Sequence, residues 1–376
     1  MVYRSNQGGQ MNQKTYEIEF ITPCFCAGED QTVAEVRAPS IRGQLRWWYR
    51  ALGGFRVQTG STKDAEAEIF GSISEKKIQK SKLVIRIINE ELVKEKRTID
   101  DFGWQSISSN CGYLLFNLRP TKDQRNSNKL PKKGVILPHP KSKVSIKLIW
   151  KGDSNYWKSI QALWNVFTTF GSLGSRSRRG FGSINSLSDL AKIDTAYLTR
   201  YFKNPENISI KKFDNYNPGN WEIALESLGQ WLKEWRSRGR SGQNKREKDS
   251  YPGFNYAEND HDLGVEVLSS GKTNRKANRA SIGLPIIQRY SKGKGTLNWD
   301  YTSGDGETGR FASPVILRII KQGDDYIPLI IFVDIYQWGK TDHLKIKPKG
   351  KPVKVEVSLA LYNEMKNDTE LIPFLD

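Results

Sequence analysis

Arginine recurs at every fourth position from Arg42 to Arg50 in Arg-Ala-Pro-Ser-Ile-Arg-Gly-Gln-Leu-Arg-Trp-Trp-Tyr-Arg (37–50). On a helix, Arg42, Arg46 and Arg50 share one face, while Ile41, Leu45, Trp48 and Leu52 form an apolar stripe on another. No acidic residue lies between Val36 and Phe55, so three like charges in a row repel one another unless an anion lies alongside. A phosphate backbone is such an anion. Ser40 is the expected N-cap, and a helix starting there offers free N–H groups and a positive dipole end to one more phosphate. Arg37 borders that end. Trp48 belongs to the stripe, whereas Trp47 and Tyr49 either stack on a base or pack. The plain alternative is a solvated basic face.

A second constellation is Gly-Ser-Leu-Gly-Ser-Arg-Ser-Arg-Arg-Gly-Phe-Gly (171–182). Gly174 and Gly180 let a backbone come close to a ligand and aim N–H groups at it. Arg176, Arg178 and Arg179 add charge that no acidic residue between Asp153 and Asp189 balances. The P-loop signature is absent. The competing reading is a flexible helix-to-strand connection with incidental arginines.

Residues for catalysis are sparse. The three histidines, His139, His261 and His343, are scattered. Asp64, Glu66 and Glu68 follow one another along an expected helix, with no partner carboxylates to suggest two-metal chemistry. Cys24 and Cys26 form a C-x-C pair with no second pair, which argues against zinc. The expectation is no catalytic residue, no metal and no cofactor. Three cysteines suit a reducing cytoplasm rather than a disulfide framework.

The elements that must position these motifs follow from periodicity. Thr15 to Ile21 alternates as a strand, and the arginine helix runs from Ser40 to about Leu52, where Gly53 and Gly54 stop it. Further strands are expected at 83–88, 113–118, 144–150 and 181–187, and a helix at 155–170 with Ile160, Leu163, Phe167 and Phe170 on one face. The order β-α-β-β-α-β is the ferredoxin-like pattern. In the second half, Asn220 caps a helix bearing Trp221, Leu225, Leu228, Leu232 and Trp235 on one face. Strands are expected at 282–290, 312–320, 327–338 and 353–361. Residues 236–280 read as a long, basic, mobile loop. The expected organisation is a flexible tail (1–14), an N-terminal ferredoxin-like domain (15–190) and a more divergent one (191–376). In the 4-1-3-2 strand order, helix and glycine-rich loop reach the same end of the sheet, so Arg42 and Arg46 should face Arg176 and Arg179 across one groove.

The chain has 376 residues, 59 basic against 41 acidic, for a net charge of +18. That balance points to a polyanionic partner. Residues 119–143 hold eight Lys/Arg and one acid, 236–248 six and one, and 272–294 seven and none. No apolar run approaches the roughly 18–20 residues of a spanning helix, so no membrane role is expected.

Ile21-Thr22-Pro23, the block 37–52, Glu-Ala-Glu-Ile-Phe-Gly-Ser (66–72), the block 171–183 and Arg-Phe-Ala-Ser-Pro-Val-Ile-Leu-Arg (310–318) together resemble one family. It is the family of first subunits of the Cmr complex, the type III-B CRISPR RNA-targeting effector, within the RAMP superfamily (repeat-associated mysterious proteins). The resemblance implies an α+β protein of two ferredoxin-like domains with long loop insertions. It implies a place beside other RAMP subunits, a hold on the 3′ portion of the guide RNA and a part in capturing target RNA for antiviral defence. Target slicing in such complexes belongs to a different subunit. The family's basic motif falls on Arg42, Arg46 and Arg50, and its glycine-rich loop on Gly174, Arg176, Arg178, Arg179 and Gly180. Together with Arg37, Ser40 and Trp47 these are the expected RNA-binding residues. The alternative is a RAMP-type, metal-independent endoribonuclease that processes guide RNA precursors, which would rely on a histidine-centred acid–base site.

Overall fold

The computed structural model describes residues 12–74, 77–104, 109–127, 131–140, 142–237, 251–290, 295–304, 306–334, 343–347 and 351–375. The first unit contains β1 (Asn12–Phe20), α1 (Ala38–Ala51), α2 (Thr62–Phe70), β2 (Leu83–Glu91), β3 (Lys143–Trp150), α3 (Trp157–Phe170) and β4 (Ile184–Ser186). Its antiparallel sheet has the order β2-β3-β1-β4, with Ile18 opposite Val144 on one side and Phe20 opposite Ile184 on the other. With α1 and α3 as the two crossovers, this is the ferredoxin-like arrangement. Alternation along β3 (Val144, Ile146 and Leu148 buried, Ser145 and Lys147 half-buried) turns one face to both helices.

The second unit opens with β5 (Ile208–Phe213) and α4 (Trp221–Arg236). The chain leaves it for α5 (Phe254–Ser270), β6 (Ile286–Tyr290) and β7 (Gly295–Thr302), and returns as the hairpin β8 (Val315–Gln322) and β9 (Asp325–Val333). It leaves again for β10 (His343–Lys347) and β11 (Val353–Val355), then closes with α6 (Ala360–Lys366) and β12 (Leu371–Pro373). The sheet order β8-β9-β5-β12 repeats the topology of the first unit. The two excursions meet in a third sheet, β6-β7-β10-β11, with its own apolar core around Leu263, Leu297, Trp299, Leu344 and Ile346. The described parts of the insertions thus form a folded layer of their own.

Residues 315–320 of β8 are all buried because both faces of the strand are covered. Val315, Leu317 and Ile319 pack beneath α4, while Ile316 and Ile320 join the core of the first unit. The two ferredoxin-like units thus share a continuous apolar contact.

Several local expectations change. Residues 113–118, expected as a strand, lie in a short helix (Asn110–Leu114) and a 3-10 turn (Phe116–Leu118). Ser109 caps that helix from its side chain, and hydroxyl capping outweighs the β-propensity of Tyr113. Residues 254–270, expected in a mobile loop, form α5, whose Leu263 and Val267 are buried. Only 353–355 of the stretch 353–361 is strand. Residues 12–14 of the expected tail belong to β1, paired with 148–150. The rest of that tail, and the basic run from 238 to 248, lie outside the described residues.

Candidate nucleic-acid interface

The N-cap of the arginine helix α1 lies three residues earlier than the cap reading. Arg37 is the N-cap, in extended conformation and without a side-chain cap bond, and Ser40 lies inside the first turn. Pro39 explains the shift, because its fixed φ favours the first turn of a helix and its missing N–H costs nothing there. Ile41, Leu45, Trp48 and Tyr49 are at most 2% exposed. Each contributes roughly 1.5–3 kcal/mol of burial, which fixes the rotation of the helix and so the direction of its arginines.

The sequence misleads on one point of charge. Arg46 and Arg50 both reach the carboxylate of Glu66 on α2; Arg50 donates from Nε at 2.7 Å and from Nη2 at 2.6 Å, and Arg46 donates through Nε. Burial acts to raise the Glu66 pKa, but the hydrogen bonds from Arg50 and Arg46 outweigh it and hold the carboxyl below its usual value. These two arginines are counter-charged from another element, invisible to a count along α1. Arg42 is not so engaged: its Nε is shut off from solvent and finds no acceptor among the described residues. Arg37 stands only 3.9 Å from Glu35, both side chains about half exposed.

The glycine-rich loop is stitched rather than open. Ser175 N–H donates to Phe25 O, Gly182 N–H to Pro23 O, Gly180 N–H to Leu317 O, and Leu317 N–H back to Arg178 O. Gly174 (φ +80°) and Gly180 (φ +85°) occupy the left-handed region. A Cβ on Gly174 would lie 2.7 Å from Phe25 O, and one on Gly180 would lie 2.6 Å from a Leu225 methyl. The glycines serve close packing of the chain on itself, and those N–H groups are spent on its own carbonyls.

Two of the loop arginines are spent in the same way. Arg176 donates to Leu114 O from Nε at 2.6 Å. Burial, with help from nearby Arg236, pushes its pKa down to about 10. Arg179 is 8% exposed and donates to Val315 O at 3.1 Å. Burial first, then Arg236 and Arg176, lower its pKa well below the usual value. The expectation that Arg176 and Arg179 face α1 across a groove is thus corrected: as cations with five donors each, they satisfy buried carbonyls that would otherwise be orphaned. Arg178 is the loop arginine that meets α1. Its guanidinium lies 4.9 Å from the centroid of the Trp47 ring and donates to Ser313 O at 2.7 Å.

Between α1 and the loop lies a cavity of about 240 Å³, lined in part by Gln44, Trp47, Ser172, Ser177, Arg178 and Ile316. The glycine-rich loop and the 310–318 block, far apart in sequence, meet here because β8 runs alongside residues 178–180. Sequence reasoning missed Glu66 as a counter-charge, although it lies in a block that carried the resemblance. It also missed Gln44 and Ser172, which have no signal beyond their position. It missed Arg318, which is fully buried on the first-unit face of β8. Arg318 donates to the carbonyls of Thr168, Thr169 and Ile184, the first two in the last turn of α3. A cation on those unpaired carbonyls is favourable there, and it fixes where α3 hands over to the loop. Burial alone pushes its pKa down to about 9.

The histidines sit elsewhere: His139 beyond the strand at 133–136, His261 on α5 with its ring 5.1 Å from that of Tyr290, and His343 at the start of β10. Among the described residues no group of three or more His, Cys, Asp or Glu could hold a metal ion, and no helix is long and apolar enough to cross a membrane.

Two ferredoxin-like units, with a glycine-rich loop after the last helix of the first, define a protein of the RAMP class, and residues 17–185 match the RAMP superfamily. A relative from Pyrococcus furiosus, "CRISPR system Cmr subunit Cmr1-2", is 30% identical over 182 residues, 46% of this chain and 95% of the relative. A second, "Cmr1-1" of the same organism, is 32% identical over 175 residues, spanning 45% of this chain and 46% of that relative. The chain belongs to the Cmr1 family. The crystal structure of apo Cmr1 from Pyrococcus furiosus has the same fold, with a TM-score of 0.53 at 16% identity, covering 97% of this chain and 99% of that one.

Proposed function

We propose that this chain is a non-catalytic RNA-binding subunit of a type III-B CRISPR effector complex, working in the cytoplasm beside other RAMP subunits. Its part is to hold the guide RNA's 3′ portion and to help capture target RNA. Its RNA surface is the junction of α1 and the glycine-rich loop. The observation that carries this reading is the meeting of Trp47 of α1 and Arg178 of the loop at one cavity on a chain of net charge +18, with Arg42 next in sequence to Gly43 of the cavity wall. An aromatic ring carrying a guanidinium on its face suits a base, and the arginines around it suit the phosphates on either side.

The test is binding of a single-stranded RNA to the full chain. Arg42→Glu and Arg178→Glu should each weaken binding with little change in melting temperature. Combined, their losses should be non-additive, as for residues sharing one bound strand. Binding unchanged in both variants would remove this surface from consideration. Incubation of the same RNA with and without magnesium should leave it intact. Cleavage lost in His139→Ala, His261→Ala or His343→Ala would instead favour the metal-independent ribonuclease. Co-purification with other RAMP subunits tests the assembly role.

A further inference from the structure

We propose that the cavity between α1 and the glycine-rich loop is a pocket for a single unstacked nucleobase of the bound RNA, so that the chain holds a base as well as the backbone. This rests on the α1–loop junction being the RNA surface. At about 240 Å³ the cavity is smaller than the roughly 300–1,000 Å³ that whole small-molecule ligands occupy; it suits one ring system rather than a nucleotide. Its walls carry what a base requires. Trp47 with the Arg178 guanidinium on its ring gives planar, polarisable surfaces, on which any base stacks. Gln44 presents a carboxamide, donor and acceptor together, the group that pairs with a base edge. Ser172, only 4% exposed, also lines the cavity, and its hydroxyl finds no partner among the described residues. A buried, unpaired hydroxyl costs free energy that a base edge in the pocket would recover. Gly43 leaves the mouth open: a Cβ added there would meet nothing within 4 Å.

The phosphates belong to the basic surface around the α1–loop junction and the base to the pocket, so the two are separable. The experiment compares binding of a normal single-stranded oligoribonucleotide with a fully abasic one of the same length, carrying the same phosphates. The protein is the whole chain and two blocking variants, Trp47→Ala and Gly43→Leu, with Gln44→Ala for base preference. The glycine substitution lies in a helix with open space around it, so the fold tolerates it, and its side chain obstructs the mouth. The native chain should bind the normal strand about tenfold more tightly, the scale of one base–aromatic stack. Both variants should bind the two strands equally, with the salt dependence of binding kept. Gln44→Ala should change the relative affinities of oligo-A, oligo-C and oligo-U. Equal binding of both strands by the native chain would overturn the pocket while leaving the phosphate-binding surface standing. A normal-over-abasic preference that survives in Gly43→Leu and Trp47→Ala would overturn it too, by moving base contact elsewhere. Failure of the native chain to bind either strand would remove the RNA surface and the pocket together.

Discussion

Glu66 divides the arginines of α1 into two kinds. Its carboxylate takes Arg46 and Arg50 at once, which leaves Arg42 as the arginine of that face without a carboxylate partner among the described residues. Glu66→Gln should therefore release two cations and bind single-stranded RNA about tenfold more tightly at low salt, an electrostatic gain that fades as salt rises. An unchanged affinity in a titration by fluorescence anisotropy would show that Arg46 and Arg50 face away from the strand. In the native chain, Arg46→Ala should cost less binding than Arg42→Ala, because the Glu66 carboxylate it shares with Arg50 already offsets part of its charge. At this scale the charge inventory of the sequence is reliable and its pairing is not. Asp260, for instance, takes Arg279 from the run 272–294, which contains no acid of its own.

The elements that hold these residues are an ordinary amphipathic helix and an unusual loop. Helix α1 could be read from Ile41, Leu45, Trp48 and Leu52, since periodicity reports which face must be buried. The loop could be located from its glycines but not interpreted, because glycine permits both an open anion nest and a tight self-packed turn. The packing of Leu225 on α4 decides for the second. Gly180→Ala combines a positive φ with a methyl 2.6 Å from the Leu225 side chain, and should destabilise the fold by about 1–3 kcal/mol, read as a lowered melting temperature. RNA binding by the remaining folded protein should fall as well, since Arg178 is carried on the same turn. Retention of native stability would mean that the loop can shift without α4.

For the whole molecule, Arg318 ties the units together. It projects from β8 of the second unit onto the last-turn carbonyls of α3 in the first. Arg318→Ala leaves several buried carbonyls unpaired at about 1–3 kcal/mol each, less the relief of a buried charge. The expected result is a clearly lower melting temperature, with Arg318→Lys failing to rescue because an ammonium cannot span the three carbonyls as the fork does. Native-like melting of the alanine variant would assign the coupling to the apolar contact of Ile316 and Ile320 alone. The net charge of +18 makes RNA association salt-dependent throughout. If Arg37, Arg42 and Arg178 each neutralise one phosphate, the log–log slope for a single strand is roughly −2, steepening toward roughly −3 to −4 in Glu66→Gln. A flat response would contradict the electrostatic account altogether.

By itself the sequence determined the two crossover helices α1 and α3, most strands of the first sheet and the helix capped by Asn220, because each follows from a local repeat of apolar residues or a local cap. It also determined the basic character, and through five spaced blocks it carried the family resemblance. Only the tertiary structure decided which arginines face outward. Arg176 and Arg179 were indistinguishable from Arg178 along the chain, yet the first two go to the carbonyls of Leu114 and Val315, whereas Arg178 donates to Ser313 O and also lies on Trp47. The structure likewise turned 254–270 into a helix over the core of a third sheet, and it brought β8 beside residues 178–180. The physical reason is the same in each case: hydrogen-bond satisfaction and ion pairing join residues remote in sequence, and no local pattern encodes which carbonyl or carboxylate a given arginine will meet.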